Sequence, residues 1–196
     1  RWRKYNSVFI AQDKHWVSNG VFEGRSYKTL MPKYREFDDE RHFFSLQKLA
    51  LEEGKKIEDL LLPFEVIIKD KKISLGLMLC EDMWSSDYAV DPSKVLVKNG
   101  ANILVNISCS PWTIQKNNKR HRVIKEHVEA LKVPFLYCNN TGTQNNGKNI
   151  FLFDGSSTMY DKAGNIVKQA GKYKEEIIST EIDVDNDFSL TNSRNS

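Results

Sequence analysis

Short apolar runs and amphipathic segments alternate along the chain. Three segments have the periodicity of helices, at His42–Glu53, Pro92–Asn99 and Lys116–Lys132, and Gly100 directly after the second is typical of a helix end. The alternation of strands and helices predicts an α/β fold. The predicted strands, rich in Val, Ile, Leu and Phe, are Val8–Ala11, Phe64–Lys69, Ile73–Cys80, Ile103–Ser108, Phe135–Asn139, Ser157–Tyr160 and Glu176–Glu181.

The predicted strand Ile103–Ser108 indicates how the sheet is covered. Apolar side chains occupy both its odd and its even positions from Ile103 to Ile107. Successive side chains of a strand point to opposite faces of the sheet, so both faces would be apolar here. We therefore expect layers of structure on both sides of the sheet.

The composition is that of an ordinary globular protein. The 196 residues are 40% hydrophobic and 28% charged, which disfavours disorder and suits one domain. The net charge is only +3, and no nucleic-acid partner is predicted. The one basic cluster, Lys116–Arg122, begins a predicted amphipathic helix and is interpreted as its exposed first turns, with a phosphate-binding patch as the alternative.

Cysteine and histidine spacing gives no metal-site pattern. The three cysteines include no C-x-x-C pair, and the four histidines include no H-E-x-x-H motif. We also find no signal peptide and no membrane span. The chain is therefore predicted to bind no metal and to be a cytoplasmic protein without a membrane partner.

Cys80 lies where an apolar strand ends and a polar turn begins. It closes the run Ile73–Cys80 and precedes Glu81 and Asp82, so its sulfur is expected at an edge of the sheet. A thiol that attacks a carbonyl carbon needs such a rigid mount, together with stabilisation of its thiolate. A cysteine at the end of a strand is also a common small core residue, and this run alone leaves both interpretations open.

Five motifs occur in order along the chain. They are Tyr27–Phe43, which holds Lys28 before Leu-Met-Pro-Lys-Tyr; Gly76–Trp84, which holds Cys-Glu-Asp-Met-Trp; Asn106–Trp112, followed by Lys116 and Arg120; Tyr137–Gln144; and Phe153–Ser157. Together they resemble the nitrilase (carbon–nitrogen hydrolase) superfamily. The Cys-Glu-Asp-Met-Trp form is similar to the glutaminase domain of glutamine-dependent NAD synthetases. The resemblance extends from Tyr5 to about Asp185.

The resemblance implies a nitrilase-like α-β-β-α sandwich and a thiol amidohydrolase that converts glutamine to glutamate and ammonia. The family uses a Glu–Lys–Cys triad, in which Cys80 matches the nucleophile and Lys28 the oxyanion-stabilising lysine. The backbone N–H of Glu81 would be a second oxyanion donor. The residues that match those holding the two ends of glutamine are Tyr34, Asp39, Trp84, Ser110 and Lys116, with Asp39 facing the ammonium and Lys116 the carboxylate.

The chain departs from the family pattern in several places. Met31 and Asp39 stand where the family has leucine and glutamate. We expect the family's first strand and helix, with the proton-shuttling glutamate, to be missing before Arg1, which would leave the sandwich incomplete. Residues 1–185 are predicted to form the hydrolase domain, and residues 186–196 a polar tail or the start of a linker.

The resemblance also implies partners and alternatives. ATP and Mg²⁺ belong to a downstream synthetase domain that this sequence does not contain, and no cofactor is expected in the present domain. Ammonia would feed NAD synthesis in that synthetase domain of the same full-length chain, and the chain is expected to form a homo-oligomer. One alternative is a stand-alone amidase or ureidopropionase-like enzyme. The other is a catalytically inactive truncated copy with only an assembly role.

Overall fold

The architecture was obtained from a computed structural model that describes residues 2–34, 37–145, 147 and 149–191. The chain divides into two compact units, residues 1–104 and residues 105–196. The helices are α1 (Asp39–His42), α2 (Leu46–Glu52), α3 (Ile57–Leu60), α4 (Pro92–Lys98) and α5 (Lys116–Leu131), with 3₁₀ turns at Cys80–Met83 and Ser85–Asp87.

The strands are mostly short. They are β1 (Ser7–Phe9), β2 (Ala11–Gln12), β3 (His15–Trp16), β4 (Arg25–Tyr27), β5 (Phe64–Ile68), β6 (Lys71–Leu79), β7 (Ile103–Ser108), β8 (Phe135–Asn139), β9 (Thr141–Asn145), β10 (Ile150–Asp154), β11 (Thr158–Tyr160), β12 (Ile166–Gln169), β13 (Glu181–Asp183) and β14 (Ser189–Thr191).

The first unit is organised around β6, the longest strand. β5 pairs with it antiparallel, with Phe64 opposite Leu75 and Ile68 opposite Lys71. The two residues that join them, Lys69 and Asp70, both have positive φ, as a type I′ hairpin turn requires. The start of β7 lies beside β6 on its other edge. Two smaller antiparallel pairs, β1 with β4 and β2 with β3, complete the described strands of this unit.

Close packing on β6 depends on Gly76. A Cβ at this position would lie 2.7 Å from Leu104 Cδ2 and 3.2 Å from Leu96 Cβ on α4, so any side chain would force its neighbours to move. The glycine therefore lets α4 approach the strand that leads to Cys80. The buried apolar side chains of this unit include Leu30, Leu46, Leu60, Leu61, Phe64, Met78, Met83, Leu96 and Leu104.

The second unit contains the strand order β12-β11-β8-β7. β11 pairs antiparallel with both β8 and β12, and Thr158 lies opposite Tyr137 on one side and Gln169 on the other. The hairpin β9–β10 and the pair β13–β14 are separate two-stranded sheets. The core of this unit includes Ile124 and Val128 of α5 with Phe135, Tyr137, Phe153 and Tyr160.

Most predicted elements occur, but the helix predicted at His42–Glu53 is only partly right, because just α2 (Leu46–Glu52) lies within those bounds and the start is wrong. The chain forms α1 and α2 instead, because Phe43 adopts an extended conformation with φ −126° and ψ 149°. Ser45 then caps α2 by accepting a hydrogen bond from the backbone N–H of Lys48 at 3.1 Å. A side-chain cap of this kind starts a new helix rather than continuing an old one.

The strand predicted at Glu176–Glu181 is also wrong. Pairing begins only at Glu181, where β13 meets β14, and Ile177 is 97% exposed. Two adjacent isoleucines gave the segment a strand-like composition, but a strand forms only where a neighbour accepts its hydrogen bonds.

Two expectations about burial need correction. Ile103 and Leu104 are buried, yet Ile107 is 42% exposed, so the sheet is not covered on both faces along the whole of β7. The basic cluster Lys116–Arg122 does begin a helix, but its Arg120 is only 1% exposed. Within the predicted tail, Ser189–Thr191 forms β14, and residues 192–196 lie outside the described residues. The domain boundary near residue 185 stays a prediction.

Candidate active site

The nucleophile candidate sits on a strained turn. β6 ends at Leu79, and Cys80 is the first residue of the 3₁₀ turn Cys80–Met83. Cys80 has φ +45°, a left-handed conformation that is uncommon for residues other than glycine. Such strain persists only where the surrounding structure enforces it, and it is concentrated at functional sites. The Cys80 side chain is a thiol of intermediate exposure.

Lys28 is held by its backbone at the end of β4. Its N–H donates to the carbonyl of Asn6 at 2.9 Å, and its own carbonyl accepts from the N–H of Leu46 at 3.0 Å. The residue is 4% exposed. A lysine is almost never this deeply buried unless its ammonium is paired, so Lys28 is not an ordinary surface lysine.

Asp39 is the hydrogen-bond partner of the Lys28 ammonium. Lys28 Nζ donates to Asp39 Oδ2 at 2.5 Å. Asp39 is the first residue of α1, and its backbone N–H donates to the Pro32 carbonyl at 3.1 Å. The Asp39 side chain is 20% exposed and that of Lys28 only 5%, so the pair is open to solvent on the carboxylate side.

The charges around Lys28 keep its ammonium protonated, and one of them is the Cys80 thiolate. Burial on its own lowers the pKa of Lys28, but attraction by the negative charges of Cys80 and Asp39 outweighs burial, and the pKa stands above its ordinary value. Because this attraction is mutual, the ammonium also stabilises the thiolate form of Cys80. The pair can therefore supply a nucleophile and a cation for a developing oxyanion.

Glu81 is buried directly after Cys80 and is held by two phenols. Tyr34 Oη donates to the carboxylate at 2.9 Å to Oε2 and 3.1 Å to Oε1, and Tyr88 Oη donates to Oε1 at 3.0 Å. Burial and the negative charge of Glu81 raise the pKa of both phenols, so each stays a donor at neutral pH. Glu81 is 6% exposed.

The remaining predicted site residues lie in different places. Trp84 ends the nucleophile turn, and its N–H donates to the Glu81 carbonyl at 2.7 Å. Lys116 begins α5 in the second unit. Ser110, in the same unit, is 3% exposed and accepts from Arg120 Nη2 through its carbonyl at 2.8 Å and through Oγ at 3.3 Å. The structure thus brings together Cys80, Lys28, Asp39, Glu81 and Tyr34, and the roles of Trp84, Ser110 and Lys116 stay predictions.

Tyr88 and Asp82 are residues of this site that the sequence did not assign. Asp82 lies inside the nucleophile motif. An aspartate directly after a buried strand often accepts hydrogen bonds from backbone N–H groups of the turn, and this signal could have identified it. Tyr88 lies outside every motif, and only the folded chain brings its hydroxyl to Glu81.

Metal and membrane features are absent from the part of the chain that the structure describes. There, no group of three His, Cys, Asp or Glu side chains is arranged to hold a metal ion. In the same residues, no helix has the length and apolar character to cross a bilayer.

The sequence profile of the family described as carbon-nitrogen hydrolase matches residues 3–186, which is nearly the whole chain. The chain belongs to the carbon–nitrogen hydrolase family. Cys80, Lys28 and their neighbours therefore lie within a hydrolase domain, and the resemblance drawn from the five motifs is confirmed.

A curated relative agrees with this assignment. The chain is 28% identical over 178 residues to a protein named glutamine-dependent NAD(+) synthetase from Synechocystis sp.. The match covers 85% of the chain and 28% of the relative. The hydrolase described here thus spans about a quarter of the length of that relative.

Solved structures confirm the α/β fold. A glutamine-dependent NAD+ synthetase from Acinetobacter baumannii, in complex with ADP, has a TM-score of 0.73 at 23% identity over 99% of this chain and 31% of its own. A mutant of the Nesterenkonia AN1 amidase from the nitrilase superfamily has a TM-score of 0.54 at 13% identity, over 76% of this chain and 46% of its own. At these identities the likeness shows a shared fold, that of the nitrilase superfamily.

Proposed function

We propose that this carbon–nitrogen hydrolase acts on the side-chain amide of glutamine and releases glutamate and ammonia. The observation that carries the proposal is the environment of Lys28. Its buried, charged ammonium is hydrogen-bonded to Asp39 and is attracted electrostatically to the Cys80 thiolate. The name of the Synechocystis relative supports glutamine as the substrate. The arrangement has the parts that nucleophilic attack on an amide requires.

The reaction would begin with attack of the Cys80 thiolate on the amide carbon. A sulfur–carbon bond forms and a tetrahedral oxyanion develops, which the Lys28 ammonium stabilises. The carbon–nitrogen bond then breaks, and the leaving nitrogen takes up the proton that the Cys80 thiol gave up to solvent when its thiolate formed, and departs as ammonia. Water attacks the remaining thioester, which releases glutamate and restores the thiol. Asp39 keeps Lys28 oriented and charged through both steps.

Substrate recognition would use the residues matched by the motifs. Glutamine is a zwitterion, so its ammonium needs acceptors and its carboxylate needs donors. We assign Asp39 mainly to Lys28, its partner in the structure, and its contact with the substrate ammonium remains a prediction. Tyr34, Trp84, Ser110 and Lys116 are proposed to hold the substrate, and their replacement is expected to raise KM more than it lowers kcat.

The ammonia is proposed to feed NAD synthesis in a synthetase domain of the same full-length chain. The test is Cys80→Ala in the full-length protein, assayed with glutamine and with ammonium salts as alternative nitrogen donors. Glutamine-dependent NAD formation should be lost and ammonia-dependent formation spared, because only the first requires the thiol. Loss of both activities would contradict the division of labour. Activity of the unaltered protein on other amides but not on glutamine would favour an amidase.

A further inference from the structure

Asp82 is a buried carboxylate that accepts hydrogen bonds from backbone N–H groups of the two catalytic segments. Its Oδ1 accepts from Thr29 at 3.0 Å and from Leu30 at 2.8 Å, and its Oδ2 accepts from Leu79 at 3.0 Å. Asp82 is 2% exposed. Asp82 lies inside the nucleophile motif, but no step of the proposed reaction uses its side chain.

The three donors flank the catalytic residues in the sequence. Thr29 and Leu30 directly follow Lys28, and Leu79 directly precedes Cys80. The hydrogen bonds from Thr29 and Leu30 span 53 and 52 positions of the chain. One carboxylate thereby joins two segments that are remote in sequence but adjacent at the site.

We infer that Asp82 is a positioning residue that fixes the backbone of the Lys28 segment against the nucleophile turn. Hydrogen bonds from N–H groups to an ionised carboxylate are shorter and stronger than neutral ones. Three of them, made to backbone rather than to flexible side chains, set the separation of Lys28 and Cys80 before any substrate binds. That separation decides whether the ammonium can reach the oxyanion that forms beside the sulfur.

Asp82 also stabilises the strained turn that holds Cys80. Cys80 adopts a left-handed conformation, which a turn keeps only if neighbouring contacts enforce it. The bond from the Leu79 N–H closes the turn across Cys80, since Asp82 lies three residues after Leu79. Loss of the carboxylate would therefore relax the nucleophile as well as release the lysine segment.

The environment of Asp82 agrees with a positioning role. Burial raises the pKa of the Asp82 carboxyl to about 6, against the opposing effect of the backbone hydrogen bonds from Leu30, Leu79 and Thr29 and of the Lys28 charge. A carboxylate buried this deeply without hydrogen-bond donors would destabilise the fold. These favourable contacts all come from the catalytic segments themselves.

The test compares Asp82→Asn with Asn99→Ala in the full-length protein. Asparagine keeps the shape of aspartate but presents an N–H₂ group where an acceptor is needed. Asn99 is the matched control, because its Nδ2 also joins remote segments by donating to the carbonyls of Glu58 at 2.9 Å and Leu61 at 3.1 Å. Neither of these carbonyls belongs to a catalytic segment.

The expected result separates positioning from general stabilisation. D82N should lower kcat for glutamine by about 10²-fold with little change in KM, the effect of misplacing a catalytic group by about 1 Å. N99A should lower the melting temperature and leave kcat unchanged. A folded D82N with wild-type kcat, or an equal loss of kcat in both variants, would overturn the inference.

A second readout does not depend on the substrate. The rate of Cys80 alkylation by iodoacetamide, followed by peptide mass spectrometry, reports thiolate stabilisation by Lys28 and should fall in D82N about tenfold. The inference rests on the proposed function only for its kinetic readout. If the unaltered protein does not hydrolyse glutamine but alkylation still slows in D82N, the proposed function fails and the role of Asp82 stands.

Asp82→Glu is the variant to use if D82N does not fold. It keeps the charge and moves the acceptors by one methylene group, so the two segments would be held in a shifted register. Slower alkylation of Cys80 in folded D82E supports the inference, and an unchanged rate contradicts it.

Discussion

An ion pair with a buried cation lies in each unit of the chain, and the two pairs differ in what surrounds them. Lys28 and Asp39 have side chains 5% and 20% exposed, and the lysine interacts electrostatically with a thiol. Arg120 and Asp154 are both 1% exposed, at 2.7 Å. Arg120 also donates to the carbonyls of Ser110 at 2.8 Å and Pro111 at 3.4 Å, and its guanidinium lies 5.9 Å from the ring centroid of Tyr137.

The comparison teaches that burial of a charge does not by itself indicate catalysis. The Arg120 pair is closed, with contacts to a carboxylate, backbone carbonyls, one hydroxyl and an aromatic ring. The Lys28 pair is open on one side and is coupled to a cysteine on a strained turn. We therefore expect the Lys28–Asp39 pair to take part in catalysis. The Arg120–Asp154 pair is expected to hold the chain around Ser110 in place.

The largest effect is expected for Lys28→Met. Methionine has a similar length but no charge, so both the oxyanion donor and the partner of the thiolate disappear. The kcat for glutamine hydrolysis should fall by about 10³-fold, measured as ammonia release by the full-length protein. Lys28→Arg, which keeps the charge in a bulkier group, should be less impaired, and equal activity of K28M and the unaltered protein would contradict the proposed role.

Arg120→Met should act on stability. Removing one partner of a buried pair leaves the Asp154 charge uncompensated, and the free energy of unfolding should fall by about 3–5 kcal/mol. Urea denaturation measures the change. The double variant R120M/D154L removes both charges and should recover most of the loss, whereas an additive further loss would show that the charges are not coupled.

Asp39→Asn should change how kcat depends on pH, which tests whether Asp39 controls the charge of Lys28. Without the carboxylate, the pKa of Lys28 moves down, since attraction by Asp39 is one of the effects that raise it. Lys28 then loses its proton at a lower pH, and the alkaline limb of the kcat profile should move to lower pH. The kcat at neutral pH should fall by about tenfold. An unshifted alkaline limb would mean that Asp39 does not control the lysine.

Tyr88→Phe should give the smallest effect. The variant removes one of the two phenol donors to Glu81, a net loss of about 1 kcal/mol for a single hydrogen bond. We expect a few-fold change in KM with almost unchanged kcat, since Tyr34 still holds the carboxylate. A Tyr88→Phe variant with no glutaminase activity would assign Tyr88 a direct catalytic contact instead.

The sequence predicted those features that depend on short stretches of chain. β6, Cys80 at its end and helix α5 follow from local apolar patterns, and the motifs identified Lys28. The burial of Arg120 was not predictable, because its partner Asp154 lies 34 positions away and the local pattern indicates only a basic, exposed turn. The link from Tyr88 to Glu81 was missed for a different reason, since nothing in the neighbourhood of Tyr88 distinguishes it from an ordinary half-buried tyrosine.

The most direct test of the central claim is the relative reactivity of the three thiols. A glutamine-shaped electrophile would be added to the full-length protein, and labelling of Cys80, Cys109 and Cys138 followed by peptide mass spectrometry. Cys109 is exposed, and the partial desolvation of its thiol still raises its pKa, whereas the Lys28 ammonium stabilises the thiolate of Cys80. The account predicts rapid labelling of Cys80 alone, slowed by glutamine and by Lys28→Met. Equal labelling of all three cysteines, unaffected by glutamine, would contradict it.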